Sequence, residues 1–513
     1  MNNLDSPIEL LQAAYKQLAF DQGKLLAASR QPQPGGSEDW LDKGDWQILA
    51  AQVGADAIFF VDRDPVVVFA KSDDSAPAVL RKLYERIWCM SRPQLLFLAL
   101  QGELLVYDLT KAPPKPDEEI GAQDRLIAVA HSITEVQTRL AHYHRERIET
   151  GMVFGDARFR DSLNRADYAL IRDLKVVRHQ LAAVSSHRGQ DRPTLHHLHS
   201  LIGRAIFVRY LEDREILVPE YFEAVAARRQ GWQKLLIQPP STPELGLGMA
   251  ELRFLRVLQS KEFTYALFEQ LADDFNGDTF PIDDSERDCI QQEHLDKLRE
   301  FLLGTTSAQQ TLFFFAYRFD VIPIELISTI YEEFYNERTG DDRNQGSHYT
   351  APALVEFLLA QTLTPEVLAT RPRIVDPACG SGIFLVESFR RIVRHLCAEQ
   401  GGKKVSRPQL RRILREQIAG IDINEEAVHV AAFSLYLAFL HYQEPPEINA
   451  ERRLPHLKMV GEEERIRREK LKPGAEFFDV LLQANAFEAI AGKAYPGATR
   501  RFGPRSATVV VGN

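Results

Sequence analysis

The sequence predicts an α/β chain in three parts: a small α+β N-terminal domain (1–115), a helical connector domain (116–340) and an incomplete doubly wound, Rossmann-like domain (341–513). Three observations lead there. Short runs rich in Val, Phe and Leu, separated by turn residues, fill 57–109. Helical periodicity replaces them from about residue 124. From 373 the order strand, Gly-rich turn, helix, strand, helix begins, which is the opening of a parallel sheet.

In the first part, residues 1–30 read as an amphipathic helix, LLQAAYKQLAFDQGKLLAAS, followed by a loop of Pro, Gly and Ser. The runs AIFFV (57–61), VVVFAK (66–71), LLFLAL (95–100) and ELLVYDL (103–109) predict a small antiparallel sheet, with a helix at 81–90 between the second and third strands. A Pro-rich boundary, KAPPKPDEE, lies at 111–119. In the connector, HHLHSLIGRAIFVRYLEDREIL (196–217) and IPIELISTIYEEFYNE (322–337) are the clearest helical patterns.

The third part opens with a helix at 352–362 and a strand, RIVD (373–376). The turn PACGSG, a helix (383–398), a basic helical insertion (406–417), the strand IAGID (418–422) and a helix (425–441) follow. A polar segment, 451–474, interrupts the pattern before two more strands, FDVLLQANAF (478–487) and TVVVGN (508–513). The chain stops directly after an apolar strand, so the sheet reads as unfinished.

Bulk composition narrows the function classes. The 513 residues are 45% hydrophobic and 26% charged, as in ordinary globular proteins. The four cysteines, Cys89, Cys289, Cys379 and Cys397, form no CxxC pair and no zinc spacing, which points to a reducing, cytoplasmic setting. No signal peptide or membrane-spanning run is read. A net charge of −10 excludes a wholly basic nucleic-acid coat but leaves room for a local basic cleft.

The chemistry concentrates in Asp376-Pro377-Ala378-Cys379-Gly380-Ser381-Gly382-Ile383-Phe384-Leu385. An acidic residue ends a strand, a Gly-x-Gly turn follows, and a helix begins. Glycines let the backbone approach a ligand, the helix start offers unpaired N–H groups, and Asp376 can answer a cationic ammonium. Leu385 occupies the place of the third glycine of a dinucleotide fingerprint, so a pyrophosphate ligand is not expected.

This string resembles motif I of the amino-group DNA methyltransferases, in particular the adenine-specific enzymes of Type I and Type IIG restriction–modification systems. Upstream, Gly346-Ser347-His348-Tyr349-Thr350-Ala351-Pro352 resembles their motif X, departing from it by the inserted Ala351. The resemblance implies that Tyr349 and Thr350 help enclose the methionine end of the cofactor. Downstream, Gly420-Ile421-Asp422-Ile423-Asn424 is similar to motif II, which implies that Asp422 accepts the ribose hydroxyls; read alone, a strand-end Asp serves equally well as a helix cap. Ala484-Asn485-Ala486-Phe487 stands where motif III falls, with Asn485 implied to bond the cofactor adenine. The implied cofactor is S-adenosylmethionine, held by Tyr349, Thr350, Asp376, Ala378, Gly380, Gly382, Asp422 and Asn485.

TVVVGN resembles the strand that runs into Asn-Pro-Pro-aromatic, motif IV, which implies that Asn513 is catalytic. The exocyclic amine of adenine is a poor nucleophile. In the family the Asn oxygen and the next Pro carbonyl accept its N–H bonds, while an aromatic ring stacks on the flipped base. With only Asn513 of that motif, the chain alone is expected to be inactive, as one piece of a split or truncated enzyme. Double-stranded DNA is the implied partner, and a separate polypeptide is one source of the remaining sheet and of target recognition. The expected function is site-specific adenine methylation in a restriction–modification or phage-defence system; the alternative is a non-catalytic cofactor-binding or scaffolding subunit of a defence complex.

Other features have plainer readings. In Type IIG enzymes the N-terminal domain is often a D…ExK nuclease. Here Asp56, Asp62 and Asp64 precede Lys71, but Phe69 stands where the second metal-binding carboxylate belongs, so a degenerate scaffold is expected. His196, His197 and His199 lack further ligands at metal spacing, read as a partly exposed helix face, and no metal is expected. Cys379 reads as a small buried residue. Arg390, Arg391, Arg394, Lys403, Lys404, Arg407, Arg411, Arg412 and Arg415 form a basic stretch that reads either as a solvated helix face or as a contact for DNA phosphates.

Overall fold

Ser6 starts the first helix, Pro7–Gln17, through a reciprocal capping box: the Glu9 N–H donates to the Ser6 hydroxyl, and the Ser6 N–H to the Glu9 carboxylate. The computed structural model describes residues 5–31, 37–114, 125–160, 165–184, 192–237, 253–275, 284–303, 317–323, 326, 350–471, 474–491, 502 and 506–512. They pack as two compact units, Met1–Asp173 with Gly304–Pro323, and Leu174–Leu303 with Ile324–Asn513.

The first unit holds a six-stranded sheet in sequence order: β1 (Lys24–Ala27), β2 (Ala57–Val61), β3 (Asp64–Lys71), β4 (Leu95–Leu100), β5 (Glu103–Asp108) and β6 (Leu126–Ala130). The four expected strands are present, but the sheet is mixed. β3 and β4 run parallel, with Phe69 opposite Phe97, because the helix Pro77–Trp88 carries the chain back between them. The expected helix over 1–30 is shorter. It ends at Gln17, Ala19 turns at φ +61°, and Lys24–Ala27 pairs with β2 instead. Gly23 marks the change, since a Cβ there would lie 2.8 Å from the Phe59 ring. Leu126–Ala130, in a stretch read as helical, is the edge strand beside β5. Both corrections have one cause: pairing with a distant strand overrides local helical periodicity. One face of the sheet is closed by a cluster that includes Leu10, Leu11, Phe20, Phe59, Phe69 and Phe97.

In the second unit the connector helix Leu195–Asp213 is buried nearly all round rather than on one apolar face. Its arginines are neutralised: Arg204 pairs with the buried Glu286, and Arg209 with Glu212 at 2.8 Å and Asp213 at 2.6 Å. The histidine cluster also departs from expectation. His196 is exposed, whereas His197 and His199 are buried, and His197 caps the helix with Thr194. The expected helix at 322–337 lies, apart from Ile322, Pro323 and Leu326, outside the described residues.

The second sheet is wholly parallel and built from β7 (Ile374–Asp376), β8 (Ile418–Asp422), β9 (His456–Lys458), β10 (Phe477–Gln483) and β11 (Val509–Val510), in the order β11-β7-β8-β10-β9. β9 was not expected; the polar segment 451–474 adds it at one edge, beside β10. The chain moves outward from β7 to β8 and β10, then returns to place β11 on the other side of β7. Such a reversal leaves a crevice at the carboxyl ends of the strands beside the first one. The helices Ile383–Glu399 and Glu425–His441 pack together over the sheet, and Gly382 makes the approach possible: a Cβ at Gly382 would lie 2.9 Å from the Ala431 Cβ.

Candidate cofactor site

Asp376 ends β7 at the reversal point and is 1% exposed. Its Oδ1 accepts the Ala378 N–H at 3.0 Å. The turn that follows needs two left-handed glycines, Gly380 at φ +51° and Gly382 at φ +84°. The Cys379 N–H donates to the Ile421 carbonyl at 2.9 Å, and the Gly380 N–H donates to Asp422 Oδ2, also at 2.9 Å. The turn is thereby tied to the end of the neighbouring strand. Asp422 Oδ1 accepts the Asn424 N–H at 2.8 Å, and Asn424 caps the helix Glu425–His441. Asp422 thus braces the glycine turn, a role not read from sequence, and also orders the entry to the next helix, whose cap is Asn424.

The electrostatics of Asp376 are unusual for an aspartate. Burial raises the Asp376 carboxyl to about 7; the Ala378 N–H opposes the shift and the nearby Asp422 charge adds to it. Burial also pushes the Cys379 thiol well above its ordinary value, as expected of a packed, unreactive cysteine. Gly420, within β8, makes room for the turn: a Cβ there would meet Leu385 at 2.6 Å and Cys379 at 3.1 Å.

The adjoining strand brings a third element. β10 lies parallel to β8, and the Ala484 N–H donates to the Asp422 carbonyl at 3.0 Å. Asn485 Oδ1 then caps a short helix by accepting the Phe487 N–H at 2.9 Å. Two large apolar side chains stand in solvent beside these polar ends, Ile423 at 72% exposed and Phe487 at 86%. Ile423 was not singled out from sequence; an apolar residue directly after a strand-end aspartate was the available signal.

The expected site residues fall into three groups. Asp376, Ala378, Gly380, Gly382 and Asp422 are brought together by β7, β8 and the turn between them. Asn485 joins them through β10. Thr350 is buried just before the helix Pro352–Thr362. Tyr349 and Asn513 lie outside the described residues.

Most of the basic stretch is ion-paired or hydrogen-bonded within the chain. Arg391 donates to the Leu363 carbonyl at 3.0 Å, and Arg390 and Arg394 share Glu387. Lys404 pairs with Glu444 and Glu447, Arg407 with Glu451, Arg411 with Glu476, and Arg412 and Arg415 with Glu416. Most of these carboxylates are distant in sequence, so the run looked more cationic than it is. Among the described residues no group of three His, Cys, Asp or Glu could hold a metal, and no helix is long and apolar enough to cross a membrane.

Comparison with known proteins bears on this same region. Residues 364–463 match the family model described as the MmeI DNA-methyltransferase domain, a span that contains Asp376, the glycine turn and Asp422. A stretch of 86 residues is 40% identical to the adenine-specific methyltransferase PglX of Streptomyces coelicolor, covering 16% of this chain and 7% of that protein. Another of 99 residues is 28% identical to the adenine-specific methyltransferase BrxX of Escherichia coli O9:H4, covering 18% of this chain and 8% of that protein. The matches thus span less than a tenth of either relative's length. Among solved structures, a DrdV–DNA complex aligns over 100% of this chain and 43% of its own at 10% identity and a TM-score of 0.35. A modification subunit of a putative type I restriction enzyme from Vibrio vulnificus aligns over 54% of this chain and 55% of its own at 17% identity and a TM-score of 0.26. Residues 364–463 thus match a DNA-methyltransferase domain, and the chain shares stretches of sequence with two adenine-specific methyltransferases.

Proposed function

We propose that this chain is the cofactor-binding part of an adenine-specific DNA methyltransferase of the restriction–modification kind, with S-adenosylmethionine held at the carboxyl ends of β7, β8 and β10. The observation that carries the reading is a Gly-x-Gly turn braced between two strand-end carboxylates, inside the segment matching a DNA-methyltransferase domain. The residues fit such a ligand. Among the described residues nothing stands within 4 Å of where a Gly380 side chain would project, which leaves the turn open to them on that side. Asp376 offers a carboxylate for an ammonium group, and Asp422 retains lone pairs for hydroxyls while bracing the turn. Ile423 and Phe487 offer apolar faces for a purine, and Asn485 an amide group to bond it. The resemblance to motif X assigns Thr350, with Tyr349, to the methionine end.

When bound, S-adenosylmethionine supplies an electrophilic methyl group on a sulfonium. The role of Asn513 is to accept an N–H bond of the target amine and direct its lone pair, the base having left the duplex. The test is calorimetric titration of the chain with S-adenosylmethionine. Asp376→Ala and Asp422→Ala should each weaken binding tenfold or more, while Asn513→Ala leaves it unchanged. Wild-type affinity in both aspartate variants would remove the reading. Any tritium transferred from labelled cofactor to DNA should be recovered as N6-methyladenine; recovery on cytosine would overturn the adenine assignment.

A further inference from the structure

We infer that Gly512 is a positioning residue for the Asp376 carboxylate, so that the segment following β11 and the cofactor carboxylate are set by one contact. The inference rests on the cofactor reading above. β11 lies parallel to β7, with Val509 opposite Ile374 and Val510 opposite Val375. The Val511 N–H then donates to the Val375 carbonyl at 3.0 Å, which fixes where the next residue passes. That residue is Gly512, at φ +144°, and a Cβ on it would lie 2.8 Å from Asp376 Oδ1, 3.5 Å from Cγ and 3.8 Å from Pro377 Cδ.

Asp376 has little freedom to yield. It is 1% exposed, and the Oδ1 that faces Gly512 also accepts the Ala378 N–H. The carboxylate sits between its own turn and the end of β11, at the reversal point of the sheet. A side chain at 512 must therefore displace the carboxylate, break the Ala378 bond, or lift the end of β11 away from β7. Each outcome moves the group assigned to the ammonium of the cofactor. Residues beyond β11 belong to the substrate side of the proposed reaction, yet a change at 512 acts on cofactor binding.

The experiment is a double-mutant cycle on S-adenosylmethionine affinity in the full chain, using wild type, Gly512→Ala, Asp376→Ala and the double variant, with melting temperatures measured without cofactor. Gly512→Ala should weaken binding about tenfold, as loss of a hydrogen bond to a charged group does. The double variant should bind no more weakly than Asp376→Ala alone, because the residue through which 512 acts is then gone. Gly474→Ala is the control: that glycine also has a positive φ, +81°, and among the described residues an added Cβ meets only the Arg453 guanidinium at 3.6 Å. An added Cβ there also strains a positive-φ backbone, and it should leave affinity unchanged. Wild-type affinity in Gly512→Ala, or losses that multiply in the double variant, would overturn the inference while leaving the cofactor reading intact. A wild-type chain that binds no S-adenosylmethionine would remove both.

Discussion

The Gly380 amide donates to the Asp422 carboxylate at 2.9 Å, joining the turn after β7 to the end of β8. With the Asn424 N–H on its other oxygen, Asp422 is an internal brace before it meets any ligand. Its removal should therefore cost stability as well as affinity. Asp376 differs: it accepts the Ala378 N–H and is otherwise an almost wholly buried charge.

That difference sets opposite expectations for Asp376→Asn. The folded-state carboxyl titrates near 7, above its ordinary value of 3.8, through burial first and the Asp422 charge in addition. Between those two values the folded protein holds a proton that the unfolded chain has released, so stability falls as pH rises through this window and is level above it. Asp376→Asn should raise the cofactor-free melting temperature at pH 8, with the gain vanishing toward pH 4. Cofactor affinity should fall in the same variant. Equal melting curves at pH 8 would refute the buried-charge account.

Affinity for a cationic ligand should follow the ionised form of Asp376. Binding by the wild-type chain should therefore strengthen from pH 6 to pH 8, by up to about tenfold per unit below the midpoint. Asp376→Asn should flatten that dependence. A flat wild-type profile over the same range would contradict the role given to this carboxylate.

The two glycines of the turn should not be equivalent. At Gly382 an added Cβ meets Ala431 Cβ at 2.9 Å and Cα at 3.0 Å, in addition to the left-handed backbone. Gly382→Ala should cost about 2–4 kcal/mol through overpacking and strain together. At Gly380 no neighbour among the described residues lies within 4 Å, so Gly380→Ala should cost only the strain of the left-handed backbone, about 1–2 kcal/mol. Urea denaturation of both variants checks this, and equal losses would show that packing against Ala431 is not limiting.

Arg214 closes the carboxyl end of the helix Glu425–His441. Its guanidinium donates to the carbonyls of Leu440 at 3.0 Å, His441 at 3.3 Å and Gln443 at 3.1 Å. These are charge-assisted bonds to carbonyls at and just beyond a helix end. Arg214→Ala should destabilise the second unit by about 2–3 kcal/mol, and Arg214→Lys should recover less than half, lacking the planar fork. A loss below about 0.5 kcal/mol, the range of ordinary surface substitutions, would refute this.

Phe69 occupies the position a metal-binding carboxylate would need in the first unit. It is fully buried, with the rings of Tyr15 and Phe20 at 5.0 Å and Phe97 at 5.1 Å. Lys71 is engaged by Asp56. Phe69→Glu should destabilise the unit by about 3–5 kcal/mol, since it empties an aromatic core position and buries an unpaired polar group. It should confer no magnesium-dependent plasmid nicking. A stable variant that nicks DNA would sink the view of this sheet as a packed scaffold.

The sequence by itself determined what local pattern encodes. The acidic–Gly-x-Gly string places a strand, a left-handed turn and a helix in order, because only glycine takes those backbone angles freely; β7, β8 and the two following helices stand where their periodicity put them. The 3.6-residue period likewise marked the helix Leu195–Asp213. Tertiary structure decided what depends on distant partners. Lys24–Ala27 and Leu126–Ala130 became strands because β2 and β5 offered unpaired edges. Part of the cationic run from Arg390 to Arg415 is paired with carboxylates such as Glu444, Glu451 and Glu476, which no local window contains. Gly512 met Asp376 only because the sheet reverses direction at β7 and returns β11 to its side, a contact of position in space that no spacing along the chain encodes.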